Sequence, residues 1–192
     1  MIRFTPSNNA KPRPGDILLS EPFLDDPYFG RKVLLLCEHN DEGSFGFVLN
    51  NFIDIDVDEV MEELPKLNAR ISVGGPVKNG NLFYLHTCQD IPESIPVVEG
   101  VCMGGDFDLI KKMLNQGKLT SNDIRFFIGY SGWSPSQLDN EIQSRSWFVC
   151  KGHRSDIMRT DEENEVFWKR LVNELGDGYA HIANAPSDPS LN

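Results

Sequence analysis

The sequence predicts an α+β fold: mixed, strongly twisted and coiled β-sheets with about three to four helices. Three observations predict it. Apolar, β-rich runs follow one another with few helical stretches between them, so an alternating βαβ order does not fit. The stretch 126–149, FFIGYSGWSPSQLDNEIQSRSWFV, reads as strand, turn, capped helix and strand. The 192 residues are 40% hydrophobic and include 12 Phe, enough for one sizeable core.

The elements follow in order. Residues 1–14 carry three prolines and little apolar pattern, and read as a flexible N-terminal arm. A single domain is expected over 15–183, followed by a polar Pro/Ser tail over 184–192. GDILLS at 15–20 is a short strand, and Asp25-Asp26-Pro27 signals a turn. Val33 to Cys37 is continuously apolar, as in a buried central strand. The polar segment Glu38 to Ser44 connects it to a return strand, Phe45 to Leu49, where Gly46 points to a bulge or a close backbone approach.

A helix is expected over 56–64, with Val57, Val60, Met61 and Leu64 on one face, Asp56 as cap and Pro65 as stop. Strands follow at 71–73, 82–86, 95–98 and 101–103, with a turn at Lys78 to Asn81. Asp106 caps a helix over 107–116 that Gly117 ends. After the strand at 125–130, Gly129 and Gly132 bracket a sharp turn. Ser134 then caps the next helix, with Gln137 at the capping-box position and Leu138 and Ile142 on its inner face. A strand at 147–150 and a helix at 161–175 complete the domain.

Composition bounds the function. The net charge of −11 disfavours a generic phosphate-backbone binder, although small basic groups at 31–32, 111–112, 151–154 and 169–170 could converge in space. No apolar run approaches the roughly 20 residues that span a bilayer, and the N-terminal residues lack a secretory h-region. A cytoplasmic protein without membrane contact is therefore expected. Cys37, Cys88, Cys102 and Cys150 form no CxxC pair, so free thiols are expected, with no metal and no cofactor. Common nucleotide-binding and zinc-protease motifs are missing.

GYSGW resembles the GxSxG nucleophile elbow, which would make Ser131 a nucleophile. Trp133 stands where the elbow needs a small residue, so a packed turn with a tryptophan wedge is the competing reading. His39 sits among Glu38, Asn40 and Asp41, and His86 ends a strand. Either could work as a base beside a carboxylate, or simply hydrogen-bond its own turn.

Asp26-Pro27, Phe29-x-Arg31, Cys37-Glu38-His39-Asn40, Gly43 to Asn50, Gly74-Gly75-Pro76, Leu85-His86 and GYSGW with Gln137-Leu138, Glu141-Ile142 and Trp147 together resemble the AlgH/YqgE family of bacterial proteins. The resemblance runs from about Gly15 to Gly176. It implies an α+β arrangement of coiled, branching sheets and a link to transcriptional regulation, and it carries no enzyme activity. The chain departs from the family pattern at Gly43-Ser44-Phe45-Gly46, at Ser131, where relatives often have alanine, and at Met103-Gly104-Gly105.

The expected function is that of a regulatory protein or a binder of a protein or small-molecule partner, not a conventional enzyme. The alternative is a hydrolase using His39 or His86 with a nearby carboxylate or Ser131. His39, Asn40, His86, Tyr130, Trp133, Gln137 and Glu141 are expected either to line one shared pocket or to support the GYSGW turn structurally.

Overall fold

The computed structural model describes residues 11–24, 26 and 28–185. The first ten residues of the expected arm, nearly all of the expected tail, and two residues of the 25–27 turn lie outside the described residues.

Ten strands among the described residues form one branched sheet. β1 (Asp16–Ser20) lies between β10 (Trp147–Lys151) and β2 (Val33–Asn40), and β2 pairs with β3 (Gly43–Val48). β9 (Ile124–Trp133) is the hub. One of its edges pairs along much of its length with β6 (Val77–His86). Its other edge is shared: Ile71 to Val73 of β5 (Arg70–Val73) run parallel to Phe126–Ile128, and Ser44–Gly46 of β3 run antiparallel to Ser131–Trp133. β4 (Phe52–Asp56) extends the β5 branch, while β8 (Val101–Met103) and β7 (Ile95–Val98) continue beyond β6. One parallel pair among antiparallel ones makes the sheet mixed.

The branch point explains Gly129. Its φ is +70°, and an added Cβ would sit 2.8 Å from the Val77 carbonyl oxygen and 2.9 Å from that of Gly75. Only glycine takes that conformation there without strain. The kink lets β9 leave β5 and join β3. The expected turn at 129–132 is therefore a bend within a continuing strand. Pairing with β3 and β6 satisfies the backbone better than reversal would. The chain turns later, after Trp133, and Ser136 adopts φ +60° just before α3 (Gln137–Gln143). Ser136, not Ser134, is the N-cap, although the Gln137 side chain still accepts the Ser134 amide at 3.0 Å.

The hairpin is tighter than its polar sequence implies. β2 and β3 extend through Asn40 and from Gly43, leaving Asp41-Glu42 as the turn, with a register shift between Leu36 and Glu38. Gly46 is in close approach to the backbone of Leu35, as its position in the strand suggests.

Six α-helical segments occur among the described residues, and three exceed one turn: α2 (Phe107–Asn115), α3 and α5 (Asn164–Glu174). α4 (Arg154–Ile157) and α6 (Ala180–Ala183) are single turns. The helix expected over 56–64 shrinks to α1 (Val57–Val60). Met61 leaves helical geometry at φ −131°, ψ 89°, so Leu64 is buried from a turn while Val60 is half exposed. So short a helix has little stability of its own, and burial of Leu64 decides the path.

Three apolar clusters fill the space around the sheet. Phe167, Trp168, Leu171 and Val172 of α5 pack on Ile17, Leu35 and Phe47. Ile110 and Leu114 of α2 pack with Val57, Ile71 and Phe126. Leu138 and Ile142 of α3 pack with Leu34, Val48, Trp133 and Trp147.

Candidate functional site

β-pairing sets His39, Ser44 and Trp133 side by side across three strands, since His39 opposes Ser44 and Ser44 opposes Trp133. Residues opposite one another in this way present their side chains to the same sheet face. Helix α3 crosses that face. His39 Nδ1 lies 2.8 Å from Ser44 Oγ, and its Nε2 lies 3.8 Å from Asp139 Oδ1. At 19% side-chain exposure His39 remains reachable, and Asp139 is more open.

Beside this row, Glu141 acts as a hub. One carboxylate oxygen accepts the indole N–H of Trp133 at 2.9 Å and that of Trp147 at 2.8 Å. The other accepts the Gln137 amide at 2.9 Å. Buried indoles need an acceptor, and one carboxylate serves both. Phe29 stacks on Trp133 at 6.3 Å and meets Trp147 edge-on at 5.4 Å. The result is an aromatic base beside which His39 and Gln137 form a polar edge. Asn40, the next residue along β2, points to the other face of the ladder. Asn40 stands at the hairpin tip, donating to Glu38 at 2.7 Å and accepting the Glu42 amide at 2.8 Å.

Five of the seven nominated residues, His39, Asn40, Trp133, Gln137 and Glu141, thus lie around one end of the β2–β3–β9 ladder. The other two lie elsewhere. Tyr130 packs into the cluster on the opposite sheet face, 5.0 Å from Phe45 and 5.7 Å from Phe83. His86 opposes Ile124, at the far end of β9, roughly 30 Å of strand away from Trp133. It is fully buried, and its Nε2 donates to the Gly104 carbonyl at 2.9 Å. A carbonyl can only accept, so Nε2 carries the proton, and Nδ1 is buried with no hydrogen-bond partner among the described residues.

Ser131 is not placed as an elbow nucleophile. It is 1% exposed, lies within β9, and donates its hydroxyl to the Gly74 carbonyl at 3.1 Å. Sequence reasoning missed Ser44, Asp139, Phe29 and Trp147 as partners of the nominated set. Only register could have found Ser44, because it meets His39 and Trp133 across strands.

Among the described residues no three or more His, Cys, Asp or Glu side chains are arranged to hold a metal ion. The four cysteines are free. Burial raises the Cys37 thiol well above its ordinary value, and pushes the Cys150 thiol, with Asp16 next in effect, up to about 12. No helix of the described residues is long and apolar enough to cross a membrane. Several basic groups are occupied internally: Arg170 meets Glu162, Asp156 and Glu174, and Arg31 meets Glu165. Lys151, His153 and Arg154 do converge, around a cleft of about 540 Å³, but Asp16 and Glu99 share its lining.

The AlgH-like family model matches residues 17–180. A UPF0301 protein of Bacteroides thetaiotaomicron is 42% identical over 97% of this chain and 94% of its own. A UPF0301 protein of Cytophaga hutchinsonii is 38% identical over 93% of this chain and 98% of its own. In fold, the chain resembles a crystal structure of a Corynebacterium diphtheriae protein, with TM-score 0.76, 24% identity and coverage of 95% of this chain and 97% of that one. It also resembles the solution structure of the AlgH protein from Pseudomonas aeruginosa, with TM-score 0.69, 23% identity and coverage of 92% and 98%. With a family model spanning most of its length and relatives this similar, the chain belongs to the AlgH-like family of UPF0301 proteins.

Proposed function

We propose that the protein is a cytoplasmic regulatory binding protein, not an enzyme, and that it engages a protein or small polar partner through the face framed by the hairpin tip and α3. The observation that carries this is the rigid base under a polar edge. Trp133, Trp147 and Gln137 are pinned on Glu141, while His39 stands beside them between Ser44 and Asp139. Trp133 and Trp147 are themselves buried and act as a fixed base, so the groups a partner can reach are polar side chains already held in place, and little ordering entropy is lost on binding. The free thiols fit a reducing compartment. The net charge of −11, with Arg170 and Arg31 already paired, argues against direct DNA binding as the route to regulation.

The test is a deletion strain complemented with wild type or with a His39→Ala/Gln137→Ala double variant whose melting temperature is unchanged. After in-cell crosslinking, wild type is expected to recover at least one protein or metabolite that the variant recovers at least tenfold less. Identical recoveries would remove this face as the binding site.

One observation favours a hydrolase as the second reading. Ser44, His39 and Asp139 line up as hydroxyl, imidazole and carboxylate, with separations of 2.8 and 3.8 Å. In this reading His39 takes the Ser44 proton as Oγ attacks an ester carbonyl and passes it to the departing alkoxide, which leaves as the alcohol. Water, deprotonated by His39, then attacks the acyl-Ser44, and the proton returns to Oγ as the acid leaves. A fluorophosphonate probe then labels Ser44 in wild type and not in His39→Gln. An unlabelled Ser44 ends this reading.

A further inference from the structure

A second surface lies on the sheet face that carries α1 and α2. α1 ends at Val60, and beside its last residue a groove of about 740 Å³ is open. Val60 and Met61 form one wall and Phe107 of α2 lines it as well, while Leu82, Tyr84 and Ile128 rise from the sheet. The lining is continuous with the cluster of Val57, Ile71, Ile110 and Phe126. Val60 is 50% exposed, a large apolar side chain left in water at the rim. An apolar sheet face is stable when a second layer covers it, and here that layer is incomplete.

The charges beside the groove have one dominant sign. Glu59 and Glu62 flank Val60 and Met61 and are exposed, as is Asp106 at the start of α2. Tyr84, which lines the groove, donates its hydroxyl to the Gly105 carbonyl at 2.6 Å, and this sets the neighbouring Asp106 beside the groove. Glu59 accepts the Asp56 amide and Asp106 the Leu109 amide, but neither they nor Glu62 forms an ion pair among the described residues. Lys111, whose ammonium lies 5.7 Å over the Phe107 ring, is held by Glu63 and Asp108, and Lys78 is exposed two residues before Gly80 of the lining.

We propose that this groove receives a basic amphipathic helix of a partner protein. Its apolar side would complete the layer on Val60, Leu82, Tyr84 and Phe107, and its lysines or arginines would face Glu59, Glu62 and Asp106. Helix-in-groove recognition of this kind reads apolar anchors first and charge second. The surface shares no residue with the hairpin–α3 face, so either proposal can fail alone.

The experiment uses the full chain and two fluorescein-labelled 18-residue helical peptides, one of Leu and Lys and one of Leu and Glu with the same apolar stripe. Anisotropy at 150 mM salt is expected to show saturable binding of the Leu/Lys peptide and at least tenfold weaker binding of the Leu/Glu peptide. Val60→Glu separates the groove from net charge, because it adds a negative charge while spoiling the apolar wall. It is expected to weaken Leu/Lys binding at least tenfold, whereas Val166→Glu, at an exposed apolar site on α5, leaves it unchanged. Equal or tighter binding by Val60→Glu would mean that only overall charge attracts the peptide, and would overturn the proposal. Two other results would also overturn it. A wild-type dimer that Val60→Glu converts to monomer in sedimentation would assign the groove to a second copy. Saturable binding of anilinonaphthalene sulfonate, lost in Val60→Glu while neither peptide binds, would assign it to a small apolar ligand.

Discussion

Arg125 shows how much one side chain can settle. It is 2% exposed and has no carboxylate partner among the described residues. Its guanidinium donates to the carbonyls of Ile157 and Leu49 at 2.6 Å each and to the Ser72 hydroxyl at 3.3 Å. Burial, with Arg70 second, pushes its pKa down to about 9, so it stays charged at neutral pH. It ties α4, the end of β3 and β5 together. Arg125→Met keeps much of the volume but leaves the Ile157 carbonyl without its donor and the Leu49 carbonyl with the Ser72 hydroxyl alone, and is expected to cost about 2–4 kcal/mol in urea unfolding. Asp123 gives a pH signature. Burial alone would raise its carboxyl, but the Thr120 hydroxyl and amide and the Thr87 hydroxyl outweigh it and hold the carboxyl below its ordinary value. Its contribution is thus present above the unfolded carboxylate pKa and lost as pH falls through the lowered folded value. Asp123→Asn is expected to lower the urea midpoint slightly at pH 7, with the difference from wild type vanishing near pH 2. Neither residue was legible as important in the sequence, because their partners lie on other strands and loops.

At the scale of elements, α3 and the bend in β9 carry the candidate site. Removing the Glu141 carboxylate leaves two indole donors and the Gln137 amide without their acceptor. Glu141→Ala is expected to cost about 2–4 kcal/mol, and tryptophan emission should shift as Trp133 and Trp147 loosen. Gly129→Ala forces a left-handed conformation on a residue with a Cβ that also meets two carbonyl oxygens. A loss of about 2 kcal/mol or more is expected in thermal or urea unfolding. The apolar runs that became β1, β2 and β9 were readable, since strand periodicity and β-branched or aromatic content are local properties. The end of α1 and the continuation of β9 through GYSGW were not. Each depends on what the segment packs against: Leu64 is drawn into the α2 cluster, and Ser131 to Trp133 pair with β3.

For the whole molecule, the net charge of −11 opposes compaction and repels polyanions. The melting temperature is expected to rise between 20 and 300 mM sodium chloride as the repulsion is screened. Gel shifts with duplex DNA at 50 mM salt are expected to show no retention, and salt-dependent retardation would contradict the charge argument. The distribution of thiols makes a further global check. Cys37 and Cys102 are buried and Cys150 is pushed up to about 12, so a thiol reagent should modify Cys88 first in the native protein and all four only on unfolding.

The sequence by itself determined the α+β class, most of the strands, the helices α2, α3 and α5, the acidic character and the family, because patterning, capping residues and motif spacing are written along the chain. Only the tertiary structure decided that β9 forks between β3 and β5, that His39 meets Ser44 and Asp139, and that Tyr130 and His86 stand apart from Trp133. The physical reason is register: a side chain's neighbours across a sheet, and the face it points to, are fixed by which strands pair and where a bend falls. Neither is a property of any local stretch of residues.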